Sequence, residues 1–229
     1  MARKRGVTLR GISTNGRVTN VSNQGIPSFS LPSGSTGSIL YKSSFGWVSL
    51  PPIGDSAVLT IIGGVPTWVG GIYIGASYRG GIVAYILQPG DPGYDPIHPH
   101  GLIAAPSDQS TGIQWCLGGC SSVGTGTAIG TGQANTTLIV SHQGAGLYAA
   151  SLCNSLVLNG YNDWYLPSRD ELNKLYINRV AIGGFASAYY WSSSGGYSTI
   201  SAWAQNFGSG ALSNYSVYST SYVRAVRAF

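Results

Sequence analysis

The 44 residues from 180 to 223 contain no Asp, Glu, Lys or Arg. A run of that length is not a disordered solvating linker, because such segments are charge-rich and aromatic-poor, whereas residues 187–222 hold 21 Ser, Tyr, Asn or Thr among 36. Tyr190 to Ser193, Ala202 to Phe207 and then Tyr222 to Phe229 read as strands, separated by Gly- and Ser-rich turns. The composition between them is that of an antibody paratope, in which Tyr gives rigid contact area and Ser, Asn and Gly give adaptable hydrogen bonding. Plain surface turns or an oligomer contact share that composition. We read the stretch as a contact surface.

The remainder of the chain also reads as packed protein. Charged residues make up 8% of 229 while 43% are hydrophobic, with six Trp, against about 25% charged in an ordinary soluble domain. No window approaches the roughly 18 uninterrupted apolar residues of a membrane-spanning helix, so no membrane insertion is expected. The net charge of +5 resides in Arg3, Lys4, Arg5, Arg10 and Arg17, and the chain beyond is balanced. Nucleic acid is therefore not the expected partner, and residues 1–36, rich in Ser, Asn, Gly and Thr, read as an extended basic anchoring arm ordered by a partner. No apolar stretch of about 7–15 residues follows Arg3-Lys4-Arg5, so a secretory signal peptide is not expected there.

Residues 37–72 hold two similar segments, Gly37 to Val48 and Asp55 to Val69. Each reads as a short strand, a Gly-containing turn and a strand centred on Trp47 or Trp68. Units this short cannot bury their own Trp and must stack on a neighbour or another chain. They resemble the Gly-Trp hairpin repeats of bacteriophage tail fibres, which implies a homo-oligomer, a trimer in that architecture, and an arm that meets other virion proteins.

Beyond residue 72, Gly81 to Leu87 reads as a buried strand and Pro89 to His100 as a turn-rich loop. The apolar spacing from Leu138 to Leu158 predicts a helix terminated by Gly160. A second helix is announced by Ser168-Arg-Asp-Glu171, a capping box, followed by the stripe Leu172, Leu175, Tyr176 and Val180 and a stop near Gly183. Cys116, Cys120 and Cys153 form no metal-site spacing, and reduced buried thiols are expected.

Gly101-Leu-Ile-Ala-Ala105, Gly112-Ile-Gln-Trp115, Asn162-Asp-Trp-Tyr-Leu-Pro-Ser168 with Glu171-Leu172, Tyr190-Trp-Ser-Ser193, Ala202-Trp203 and Val223-Arg-Ala-Val-Arg-Ala-Phe229 carry a family resemblance. Residues 73–229 resemble the C-terminal domain of the Legionella collagen-like adhesin family. The resemblance implies an α+β, C-type-lectin-like binding domain of two helices, antiparallel strands and long loops. It also implies kinship with the variable proteins of diversity-generating retroelements, frequent in phages. Trp191, Trp203 and Phe207 match the family's motifs and are the expected framework of the uncharged stretch, while Tyr197, Thr199, Ser201, Asn214, Tyr215 and Tyr218 fall outside those motifs and are the expected ligand-binding residues.

Catalysis is not expected. None of His98, His100 and His142 stands with a nucleophile and a carboxylate at a motif spacing, and no cofactor is expected. His98-Pro-His100 suits turn histidines better than metal ligands, and Asp91 with Asp95 falls short of the six to eight oxygens of calcium. Arg224 and Arg227 lie in an apolar terminal strand, so at least one must be buried and paired, with Asp163, Asp170 and Glu171 as partners. The expected function is a bacteriophage virion appendage, a tail or head fibre, that binds a host surface protein or glycan. It would be made in the host cytoplasm and located in the virion. The alternatives are a structural capsid or tail decoration protein and a bacterial adhesin.

Overall fold

The computed structural model describes residues 72–117 and 124–229, together with four strands between residues 39 and 69. The arm expected over residues 1–36, and Cys120, lie outside the described residues. The chain divides into two units, Met1–Gly71 and Ile72–Phe229. In the first, β1 (Ile39–Ser43) and β2 (Gly46–Leu50) form an antiparallel pair with Lys42 opposite Trp47. A second antiparallel pair, β3 (Val58–Ile62) and β4 (Val65–Val69), sets Leu59 opposite Trp68.

The second unit is α+β. Its strands are β5 (Ser77–Tyr78), β6 (Gly81–Ile86), β7 (Gly101–Ala104), β8 (Ser110–Gln114), β9 (Tyr189–Gly195), β10 (Ser201–Asn206), β11 (Leu212–Ser216), β12 (Thr220–Val223) and β13 (Val226–Ala228). Its helices are α1 (Gly132–Gln143), α2 (Ala149–Asn154), α3 (Arg169–Ile177) and α4 (Arg179–Ile182). One sheet has the order β11-β10-β9-β12-β8 and the other β13-β7-β6-β5. All pairings are antiparallel except β9 with β12, where Tyr190 faces Tyr222.

The terminal run that reads as one strand is two strands in two sheets. The chain leaves β12 at Val223, places Arg224 and Ala225 between the sheets, and enters β13 at Val226. β11, which sequence reasoning did not find, is the edge of the larger sheet. Its polar Leu-Ser-Asn-Tyr-Ser sequence carries no apolar alternation to announce a strand.

The helix expected from Leu138 to Leu158 is interrupted and starts earlier. Gly144 (φ +72°) and Gly146 (φ +153°) adopt backbone conformations open mainly to glycine and turn the chain between α1 and α2. The early start was hidden because α1 buries Gly132, Asn135, Thr136 and Ile139, a largely polar face. That face is satisfied in place. The Asn135 side chain donates to the Gly126 carbonyl at 2.7 Å and accepts from the Gly126 amide at 2.9 Å. Thr136 donates to Gly132 O at 2.8 Å and accepts from the Leu166 amide at 3.0 Å.

α3 begins as the capping box demands. The Ser168 amide donates to Glu171 at 2.7 Å while Ser168 Oγ accepts from the Glu171 amide at 3.3 Å. Glu171 does more than cap: fully buried, it also accepts from the Gly130 amide at 2.9 Å and so fastens the loop ahead of α1. Val180 leaves the expected apolar stripe and is 87% exposed. The helix phase breaks at Asn178, whose amide side chain donates to Ala84 O at 2.9 Å instead of continuing the turn pattern.

Two apolar clusters hold the layers together. The first joins Ile103, Trp115, Ile139, Tyr148, Trp164, Leu166, Trp191 and Val223; the second joins Tyr85, Leu102, Tyr165, Leu172, Leu175, Tyr190, Phe207 and Val226. Each fully buried large apolar side chain contributes about 1.5–3 kcal/mol. Two indoles tie β9 to β8 and the residue after it without leaving a buried donor orphaned: Trp115 Nε1 donates to Ser192 O at 2.7 Å and Trp191 Nε1 to Ile113 O at 2.8 Å.

Both terminal arginines are buried and paired. Arg227 donates to both Asp163 oxygens at 2.6 and 2.8 Å, a partner within the expected set. Arg224 pairs instead with Asp108, outside that set, at 2.7 Å. Cys116 is disulfide-bonded, contrary to the expected reduced thiol, whereas Cys153 is a buried free thiol.

Candidate ligand-contacting face

The turn from β9 to β10 carries Tyr197 and Thr199, and the turn from β11 to β12 carries Tyr218. The Val217 amide donates to Ile200 O at 3.1 Å, which brings both turns to one end of the larger sheet. Tyr197 is 86% exposed, and Thr199 and Tyr218 are exposed beside it in sequence and at the same sheet end.

Two of the six expected contact residues shape this turn. The Tyr197 amide donates to Asn214 Oδ1 at 2.9 Å, and the Ser198 amide donates to Ser201 Oγ at 3.1 Å. Gly196 fits between them because a Cβ there would collide with Asn214 Oδ1 and Ser201 Oγ. A larger residue there would have to displace the two side chains that hold the turn.

Strand register separates the six. Asn214 lies opposite Trp203 and Tyr215 opposite Ala202, so period-two alternation sends Asn214 and Tyr215 to opposite faces. Tyr215 stacks on Tyr189 with centroids 4.4 Å apart and meets Trp191 edge-on at 6.3 Å. It is half-buried against the core, and burial beside Tyr189 pushes its phenol above the ordinary value.

Two residues join the face that sequence reasoning placed elsewhere or passed over. Trp203, expected in the framework with Trp191 and Phe207, is half-exposed. Tyr197 packs edge-on against it at 5.2 Å, and the Arg169 guanidinium stands 5.3 Å from its ring centroid. The signal was present: Trp203 alternates with Ala202 and Ala204, both fully buried, which puts it on the other face. Arg169 is neutralised by Asp170 at 2.8 Å. The face therefore offers aromatic edges, hydroxyls and amides around one compensated ion pair, a set that binds by stacking and hydrogen bonding.

The other chemically interesting groups are engaged elsewhere. Asp91 accepts from Tyr85 Oη at 2.6 Å and from the Gln88 amide at 2.8 Å. Asp95 holds the Ile97 amide at 2.7 Å and the His98 ring at 3.1 Å, while His100 Nδ1 donates to Phe229 O at 3.1 Å. His98 and His100 thus serve different partners. Among the described residues no group of three or more His, Cys, Asp or Glu is placed to hold a metal ion, and no helix is long and apolar enough to cross a membrane. A cleft of about 380 Å³ lined by Leu87, His100, Leu102, Ile129, Tyr165 and Phe229 includes none of the turn residues. Its buried carboxylate, Glu171, is already held by the amides described above.

Residues 105–227 match the family model described as the Lcl C-terminal domain. No curated protein sequence matches the chain at a significant level.

Proposed function

Because the chain belongs to the Lcl C-terminal domain family, that of the Legionella collagen-like adhesins, we propose that it is an adhesion protein whose Ile72–Phe229 unit is a C-type-lectin-like receptor-binding head. The observation that carries this reading is the uncharged sheet end where Tyr197, Thr199 and Tyr218 stand exposed. Ser201 and Asn214 hold its turn, and Tyr215 flanks it. No reaction is assigned. Several weak heads on one particle gain attachment strength through effective concentration.

We place the protein in a bacteriophage virion appendage, with the basic arm docked to other virion proteins and the hairpins oligomerising the chain as a trimer. The hairpin likeness to tail fibres supports this placement. A bacterial surface adhesin is the second reading, supported by the family itself. The disulfide at Cys116 fits a life outside a reducing cytosol and so agrees with both.

The test of the binding function is co-sedimentation of the labelled full chain with a panel of intact bacterial cells, with unlabelled chain as competitor. Saturable binding lost on replacing Tyr197 and Tyr218 together by Ala is expected. A folded double variant that binds undiminished would favour the decoration role. Immunogold labelling of purified virions against bacterial surfaces separates the two locations.

A further inference from the structure

Exposed strand edges invite pairing with other chains, and proteins blunt them with charge, proline, bulges, brevity or cover. Among the described residues, the second unit has four sheet edges, and three are blunted. β5 has two residues. β13 has three, and Tyr165 covers its outer side by exchanging amide-carbonyl bonds with Val226 at 2.8 and 2.9 Å. β8 is broken by a register shift against β12 between Ser221 and Val223. β11 has none of these protections. Its five residues pair with β10 without a shift, and residues 180–223 contain no charged residue and no Pro.

The register specifies which groups are open. The Val217 amide bonds to Ile200 O and the Asn206 amide to Ala211 O, so the inward-bonded positions are 211, 213, 215 and 217. Alternation in an antiparallel ladder turns the amides and carbonyls of Leu212, Asn214 and Ser216 outward. Among the described residues, only Ser216 O of these has a partner, the Ser219 amide at 2.9 Å.

We infer that β11 pairs antiparallel with β11 of a second copy of this chain, on a two-fold axis through Asn214, joining two five-stranded sheets into one. The open positions are symmetric about Asn214, so a twin edge matches them one for one. Asn214 exchanges two bonds with its twin, and the Ser216 amides reach the Leu212 carbonyls of the opposite copy. Neutrality removes the like-charge repulsion that separates most identical edges. Leu212, 41% exposed, is covered beside the partner's Ser216. This pairing is independent of receptor binding and stands or falls separately.

Sedimentation equilibrium of the full chain over a concentration series tests it with two variants. Asn214→Pro removes the central outward amide and is expected to lower the mass reached at high concentration to that of the assembly held by the hairpins alone. Asn214→Ala loses the side-chain bond to Tyr197 but keeps that amide, and is expected to retain the native mass. A folded Asn214→Pro chain with unchanged mass overturns the inference. Should that variant misfold, a Leu212→Cys/Ser216→Cys chain decides. The two positions are about 13 Å apart within one strand but about 5.5 Å apart between paired copies, within disulfide reach. Mild oxidation is expected to give covalent dimers; a chain that stays monomeric on denaturing gels overturns the pairing.

Discussion

Arg224 Nε donates to Asp108 Oδ1 at 2.7 Å, and through that pair the point where the chain changes sheets is fixed. The same guanidinium donates to Ala105 O and to Gly184 O and lies 4.2 Å from the Phe185 ring centroid. Asp108 in turn accepts from Tyr190 Oη at 2.9 Å. A fully buried arginine with all three of its nitrogens hydrogen-bonded allows β12 and β13 to diverge between two layers.

Removing one partner of such a pair leaves an uncompensated buried charge. Asp108→Ala is expected to cost about 3–5 kcal/mol, read from urea unfolding. A loss below about 1 kcal/mol would mean that water reaches the arginine.

The Arg227 pair predicts a pH dependence. Hydrogen bonds from Arg227 hold the Asp163 carboxyl below its ordinary range. A depressed folded-state value contributes stability above the unfolded pKa of about 3.9, and that contribution is lost as pH falls through the folded value. The melting temperature of the native chain should exceed that of Asp163→Asn at neutral pH. The gap should shrink as pH falls below the unfolded value and through the depressed folded one, and a gap that stays constant across that fall would refute the linkage.

Gly132 supplies a change whose sign is unusual. Ala is ordinarily better than Gly in a helix by about 1 kcal/mol. Here a Cβ would strike Glu171 Oε2, the Tyr165 ring and the Ser168 amide nitrogen. Gly132→Ala is expected to destabilise by about 1–3 kcal/mol through overpacking, measured by chemical denaturation.

The three tyrosines among the six contact candidates should separate into two classes. Tyr197→Ala and Tyr218→Ala, at exposed positions, are expected to change stability by no more than about 0.5 kcal/mol, while each lowers cell binding by about thirtyfold if it sits at a well-packed contact. Tyr215→Ala loses its stacking on Tyr189 and should destabilise the head by more than the roughly 0.5–1.5 kcal/mol of an aromatic pair. Equal stability for all three would contradict the register described here.

Cys153 is fully buried, and burial raises its thiol above the ordinary value. It should resist a thiol reagent in the native chain and react on unfolding; rapid native labelling would place it at the surface.

Local chemistry wrote some of this protein directly into its sequence. The Ser168 capping box, the buried strand from Gly81, the burial of Trp191 and Phe207 and the need of a buried terminal arginine for a partner follow from motifs or alternation within a few residues. The family resemblance was likewise legible, since its motifs are short and ordered along the chain. Tertiary structure decided the rest, because the deciding partners are distant. Asn135 and Thr136 are polar yet buried, satisfied by Gly126 and Leu166. Arg224 finds Asp108 across 116 residues. β11 becomes a strand by pairing with β10. A sequence pattern records the free energy of burying apolar groups; it does not record which distant amide or carboxylate will satisfy a polar one, and only the assembled layers settle that.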